Sequence, residues 1–451
     1  MTQQYPTVKV VWRISYPLII SMMSYTIMQF SNRVFLAWYS SDALAACVPA
    51  GLISFTFICF FMGVCIYTNV FVAQFYGSKK YAKLTVALWQ GVWVGVISLL
   101  VIAAFVPLGL YFINSSNHTD AVKILERKYF TIVTLFGGFA PISYALASFF
   151  TGQGKTKITM LVNALGNLFN ILINYLFIFG VGFFPELGIT GAAIGFVSGH
   201  AVIITTFLLI IFSKKNKKVF RTARLLTFYP KLFFRILKYG VPSGVGFFID
   251  ISSFTVFVFL AGNMGKISLA SINIILSIQL IAFMPVLGLG MGILTLVGQY
   301  VGRKRHDLAI KAFYNGLKLS GCYVAVLSFL FLVFPSIFVK IFGIGNSPDL
   351  PAILELTYKL MKILPIFIVV DSFQIMFANA IKGAGDTKFQ MLTALACAWG
   401  LFVPGVYILS KNTDKIEYIF LWACLYLTCM AVTFIIRFRS NKWQKIDITK
   451  K

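Results

Sequence analysis

With 451 residues, 59% of them apolar, a mean hydropathy of +0.87 and a formal charge of +26, the chain has the balance of no soluble domain. Those values exclude a water-soluble enzyme and leave a polytopic membrane protein with almost nothing over for a soluble domain. The basic residues collect in alternate loops, the positive-inside pattern, so nucleic acid is not needed to explain the charge.

A span needs about 20 apolar residues, and the hydropathy pattern divides into about twelve such segments. They run over 14–38, 45–75, 89–113, 129–151, 158–180, 189–212, 241–262, 272–300, 314–335, 358–381, 389–409 and 417–437. Met1 to Lys9 are polar and lack the apolar core of a cleavable signal, so span 1 is expected to act as its own insertion signal. Lys79, Lys80 and Lys83 follow span 2, and Lys155 and Lys157 follow span 4. Lys214, Lys215, Lys217, Lys218, Arg221 and Arg224 follow span 6. Arg303, Lys304 and Arg305 follow span 8, Lys382 and Lys388 bracket the turn after span 10, and Arg437, Arg439, Lys442 and Lys445 fill the tail. The remaining loops are short or carry acids such as Asp42, Glu186, Asp349 and Asp414. Both termini are therefore expected in the cytoplasm. In the connection from Ser213 to Tyr239, Leu225-Leu226-x-Phe228 and Leu232-Phe233-Phe234-x-Ile236-Leu237 stand among lysines and arginines, the pattern of an amphipathic segment on the inner leaflet. The expected division is an N-lobe over 1–213 (spans 1–6), a linker over 214–240 and a C-lobe over 241–451 (spans 7–12) with a basic tail.

The two halves repeat each other. Tyr16-Pro17 opens span 1 as Val241-Pro242 opens span 7, 225 residues later. At the same offset, Val72-Ala73-Gln74-Phe75-Tyr76-Gly77 ends span 2 and Val297-Gly298-Gln299-Tyr300-Val301-Gly302 ends span 8. Ala87-Leu88-Trp89-Gln90-Gly91 and Ala312-Phe313-Tyr314-Asn315-Gly316 keep the register. Gly152-Gln153-Gly154-Lys155-Thr156-Lys157 after span 4 matches Gly383-Ala384-Gly385-Asp386-Thr387-Lys388 after span 10. Loop motifs repeated in one register predict an all-α membrane protein of about twelve helices, in two pseudo-symmetric six-helix lobes around a central cleft, which is a transporter architecture. Gly152 to Thr156 lacks the spacing and preceding strand of a phosphate-binding loop, so it reads as a turn between helices.

Two acids stand inside apolar runs. Asp371 lies within Pro365–Phe377, and Asp250 lies in span 7 with Ser243, Gly246, Ser253 and Phe257 at helical spacing. A carboxylate at bilayer depth costs about 2.5–3.5 kcal/mol on insertion scales, so each is a candidate cation or proton site. Gln374 lies one turn beyond Asp371. Asn163, Asn167, Asn170 and Asn174 share one stripe of span 5; they read either as helix-joining amides or as the polar lining of the first lobe's cavity. Ser21, Tyr25, Met28 and Asn32 form a stripe on span 1, and the neighbouring Arg33 is expected to snorkel to the outer surface. His200, mid-span in span 6, reads as a helix–helix contact or a proton relay. The seven cysteines fall within or beside apolar runs and read as small apolar fillers. No catalytic set is apparent, so energy must come from an ion gradient.

These residues resemble the multidrug and toxic compound extrusion (MATE) family of cation-coupled antiporters over essentially the whole chain. The resemblance rests on the two-lobe layout and on Gly240-Val241-Pro242 through Phe247-Phe248-Ile249-Asp250. It rests further on Asp371-x-x-Gln374 followed by Lys382-Gly383-x-Gly385-Asp386-Thr387, and on Asn170-x-x-x-Asn174-Tyr175. It implies that Asp250 and Asp371, supported by Ser253 and Gln374, form a cation-linked site in the C-lobe. The family often has an aspartate in span 1 in the setting Phe-x-Asp; here Phe30-Ser31-Asn32 places an asparagine there. Coupling is then expected to depend on the C-lobe, while Tyr25, Asn32, Asn163, Asn167, Asn170 and Asn174 line the N-lobe cavity or remain as neutral remnants. The resemblance implies an inner-membrane antiporter that exchanges amphipathic, mainly cationic, organic compounds for Na+ or H+, among membrane lipids and with no cofactor; a monomer is expected. A flippase for a lipid-linked precursor, from a related branch, predicts extra spans or a basic cavity. A membrane-embedded acyltransferase needs a His/Asp or metal set that His118, His200 and His306 are too scattered to supply.

Overall fold

Hydrocarbon offers the backbone no hydrogen-bond partner, so a span must satisfy its own amides, and among single segments only a helix does so. The computed structural model describes residues 5–116, 118–223, 226–262, 264–342, 348–413 and 415–450; Arg224, Leu225 and Asp414, which enter the patterns above, lie outside them. Every span is helical, and among the described residues there is no strand. Eleven helical segments are long and apolar enough to cross a membrane. The twelfth, span 1, is the 32-residue helix Val8–Tyr39, which is as long but carries Arg13, Ser21, Ser24, Gln29, Asn32 and Arg33. The expected all-α architecture of about twelve spans is therefore the observed one.

The observed spans run longer than the hydropathy pattern, because helices continue past the apolar core into the turns. Span 7 lies in the helix Pro230–Gly262, so the amphipathic Leu232–Leu237 group runs into the span as one continuous helix. Within that group Phe233 and Ile236 are buried and Phe234 is exposed. Span 3 changes helix at Phe105, one residue before Val106-Pro107 opens Val106–Asn114. Span 4 changes helix around Gly137-Gly138. In span 11 a π-turn over Ala398–Phe402 precedes Pro404, which has no N–H to offer the carbonyl four residues back.

The chain gathers into two compact units, one comprising 20–248 with 448–451, the other 1–19 with 249–447. In the first, span 5 (Thr156–Phe179) packs along span 6 (Ile189–Ile211), and span 2 (Ser41–Gly77) packs on span 4 (Asp120–Thr151). In the second, span 8 (Lys266–Gly302) packs along span 10 (Leu350–Ala384), which also meets spans 9 and 12. Phe313 of span 9 anchors that core, 4.4 Å from the Phe438 ring and 4.6 Å from Phe377.

The sequence repeat reappears as matched contacts inside each unit. A Cβ on Gly63 of span 2 would come within 2.7 Å of the Gly244 Cα, and one on Gly288 of span 8 within 2.7 Å of the Ile19 Cα. Gly63 and Gly288 are 225 residues apart, as are Ile19 and Gly244. Only a residue without a side chain lets two backbones approach so closely. The repeated polar pair behaves alike. Gln90 accepts from the Tyr229 amide at 3.0 Å and donates to the Thr227 carbonyl at 3.1 Å, pinning the entry to span 7. Its counterpart Asn315 donates to the Pro6 carbonyl at the entry to span 1. Thr85 and Trp89 complete the first clamp through the carbonyls of Phe220 and Thr222.

Candidate functional site

Polar side chains collect in two places, one in each unit. In the second unit, the face of span 10 that meets span 8 carries Asp371, which is buried, beside Gln279, Ala282, Phe283, Val286, Ile368 and Ser372 around a narrow slot. Ser372 is tied off by a 2.7 Å hydrogen bond to Ser320. Neither Asp371 nor the half-buried Asp250 forms an ion pair or accepts a side-chain hydrogen bond among the described residues. The two carboxylates nevertheless lie near enough for their charges to act on each other.

The supporting residues divide. The Ser253 hydroxyl donates to the Asp250 carbonyl at 3.0 Å, one turn back on its own helix, so it braces the backbone and leaves the carboxylate alone. Gln374 is half-buried one turn from Asp371. Lys382, counted above only among the loop cations, lies close enough to Asp250 for their charges to interact. Its position eleven residues after Asp371 returns it to the same face of the helix, and that spacing was the available signal. Tyr426 of span 12 is also within electrostatic reach of both aspartates and stacks on Phe402 at 4.7 Å.

The first unit instead holds a cavity of about 370 Å³ between spans 1, 2, 4, 5 and 6. Tyr25, Asn32, Asn163 and Asn167 line it, as do Gln29, Arg33, Tyr129, Tyr144 and His200. Asn163 donates to the Ser21 hydroxyl at 2.8 Å and Asn167 to Ser24 at 2.9 Å, so these two amides both line the cavity and join span 5 to span 1. Asn170 and Asn174 are fully buried away from it. Asn170 donates to the Gly195 carbonyl at 2.8 Å, and Asn174 bonds Asn170 and Asn32. Gly195 is free of a side chain because the Asn174 amide fills the place a Cβ would take. The span 5 stripe therefore serves both readings, cavity wall at one end and helix-joining amides at the other. Arg33 is exposed and also borders the cavity. His200 bonds the Phe196 carbonyl at 3.0 Å through Nδ1, which directs Nε2 away from its own helix.

A family profile described as MatE matches residues 17–176 and 242–408, two segments that begin 225 residues apart. The chain is 25% identical, over 97% of its length and 95% of the relative's, to a probable multidrug resistance protein NorM of Synechocystis sp. (strain ATCC 27184 / PCC 6803 / Kazusa). It is also 25% identical to the protein of the same description from Bacillus anthracis, over 88% of this chain and 87% of that one. Among solved structures, one described as the outward-facing conformation of a multidrug resistance MATE family transporter of the MOP superfamily superposes with a TM-score of 0.88 at 18% identity, covering 98% of both chains.

Proposed function

Because the chain belongs to the MatE family, whose members are efflux transporters for multiple drugs and toxic compounds and not enzymes, we propose that it is a secondary antiporter driven by Na+ or H+ at Asp250 and Asp371. The observation that carries this reading is the pair of aspartates in one unit that feel each other's charge yet form no ion pair among the described residues. One charge crossing 100 mV is worth about 2.3 kcal/mol, enough to bias an alternating-access equilibrium. Entry of the ion neutralises one carboxylate; its departure leaves Asp250 within reach of the Lys382 charge. The exported compound, a small amphipathic organic molecule, occupies the cavity of the first unit, whose volume lies in the range of drug-sized sites. On this reading the protein works as a monomer in the inner membrane, in contact with lipid and with both termini in the cytoplasm.

The test is reconstitution into vesicles loaded with a fluorescent amphipathic dye and given a Na+ gradient or a pH gradient separately. One of the two gradients should drive export, and Asp250→Asn and Asp371→Asn should each abolish it in protein that remains folded. If both variants pump at the normal rate, the coupling site lies elsewhere.

A further inference from the structure

We infer that the cavity of the first unit receives the anionic end of its substrate, a carboxylate or a comparable acid group on an amphipathic organic molecule, with Arg33 as the counter-charge. The inference rests on reading that cavity as the substrate's seat and departs from the cationic compounds that the resemblance implies.

The argument begins with the charges. Arg33 lines the cavity, and no Asp or Glu does. The first unit has four acids, Asp42, Asp120, Glu126 and Glu186. Three are exposed, and the fourth, Glu126, is buried against His118 at 2.8 Å. Asn32, beside Arg33, is a neutral amide whose side chain lies against Asn174. Arg33 itself donates no hydrogen bond and joins no ion pair among the described residues, yet its charge reaches Tyr25, Cys47 and Tyr129 on three helices around the cavity. A guanidinium offers five donors in a planar fork that fits a carboxylate through two parallel hydrogen bonds.

The rest of the wall suits the same ligand. Gln29 donates to the Tyr25 hydroxyl at 3.1 Å, which leaves the phenol's own hydrogen free to point at an acceptor. Ile58, Met62, Phe55 and Ile203 supply an apolar surface for an organic body. A cation placed here meets an unpaired guanidinium and no carboxylate. Were Arg33 only snorkelling to lipid headgroups, its replacement would leave ligand choice as it is.

Equilibrium binding to the full-length protein in detergent, with no ion gradient, tests this with two dyes of similar size. Fluorescein carries a carboxylate and rhodamine 6G is a cation. Wild-type protein should bind fluorescein at least tenfold more tightly than rhodamine 6G. Arg33→Gln should weaken fluorescein at least tenfold, and Arg33→Lys, which keeps the charge, by threefold or less. If Arg33→Gln does not fold, Asn32→Asp gives the same reading, because a carboxylate beside Arg33 should weaken fluorescein to a similar degree. A wild-type preference for rhodamine 6G, or fluorescein affinity unmoved in the folded Arg33→Gln protein, overturns the inference. Binding of fluorescein with no export under either gradient would instead remove the antiport reading and leave this one standing. Gradient-driven export of rhodamine 6G without fluorescein binding would do the reverse.

Discussion

The two halves share a loop signature and differ in the charge it carries. After span 4 the signature presents Lys155, whose ammonium lies 5.3 Å from the centre of the Phe220 ring; burial and the charge of Lys215 hold its pKa below the usual lysine range. After span 10 the same position is Asp386, buried and paired at 2.7 Å with Arg437, which in turn covers Phe389 at 4.6 Å. The contrast extends into the spans, with Arg33, His200 and neutral amides in the first unit and Asp250 and Asp371 in the second. What the repeat preserved is backbone: the glycine approaches at Gly63 and Gly288 and the clamps of Gln90 and Asn315. The charges differ at positions outside these glycine approaches and clamps. On the proposed function, one half handles an organic molecule and the other a small ion.

That contrast can be broken or sharpened by experiment. The largest effect is expected from Asp371→Asn. One coupled charge at 100 mV sustains a concentration ratio of about 40-fold, and the variant should bring it to one in vesicle efflux assays. Next come the loop residues. Asp386→Ala leaves Arg437 without its partner in a largely buried site and should cost about 3 kcal/mol, whereas Lys155→Ala loses a cation–ring contact worth about 0.5–1 kcal/mol. Thermal melting in detergent should therefore separate them clearly; equal losses would mean that the two loops are held in the same way. Third, Gly63→Leu and Gly288→Leu should each destabilise by about 1–3 kcal/mol through overpacking, and by similar amounts, since the contacts match. A loss confined to one would show that the repeat is not energetically symmetric. Smallest in its effect on the cavity is Asn174→Ala, which should cost about 1 kcal/mol of stability while leaving the dye binding of the cavity in place, because Asn174 lies outside its wall.

Much of this was legible beforehand. Spans follow from apolar length, the repeat from motifs in one register, and the two aspartates from their cost in an apolar run. What the sequence could not reveal is which neighbour a helix face meets. Helical spacing put Asn163, Asn167, Asn170 and Asn174 on one stripe, but only the close approach of span 6 at Gly195 buries the last two while the first two face the cavity. Arg33 suited an outward reach by its place near the end of span 1; it is exposed and also borders the cavity, which its position in the sequence did not signal. Lys382 suited a cytoplasmic flank, since charge patterning records depth and not direction. The break of span 2 at Tyr67 has no glycine or proline at the joint, so composition gave no sign of it.

The division of the chain also governs how it can be assembled. Residues up to Ile19 belong with 249–447, where Ile19 meets Gly288 and Pro6 meets Asn315. This segment is thus made well before the residues it packs against. At about 5–20 residues per second it waits about 15–60 s on the ribosome for span 9 to emerge. A nascent chain must therefore carry that segment without its partners until span 9 follows, which makes the half-made protein a natural client for insertion chaperones and membrane proteases.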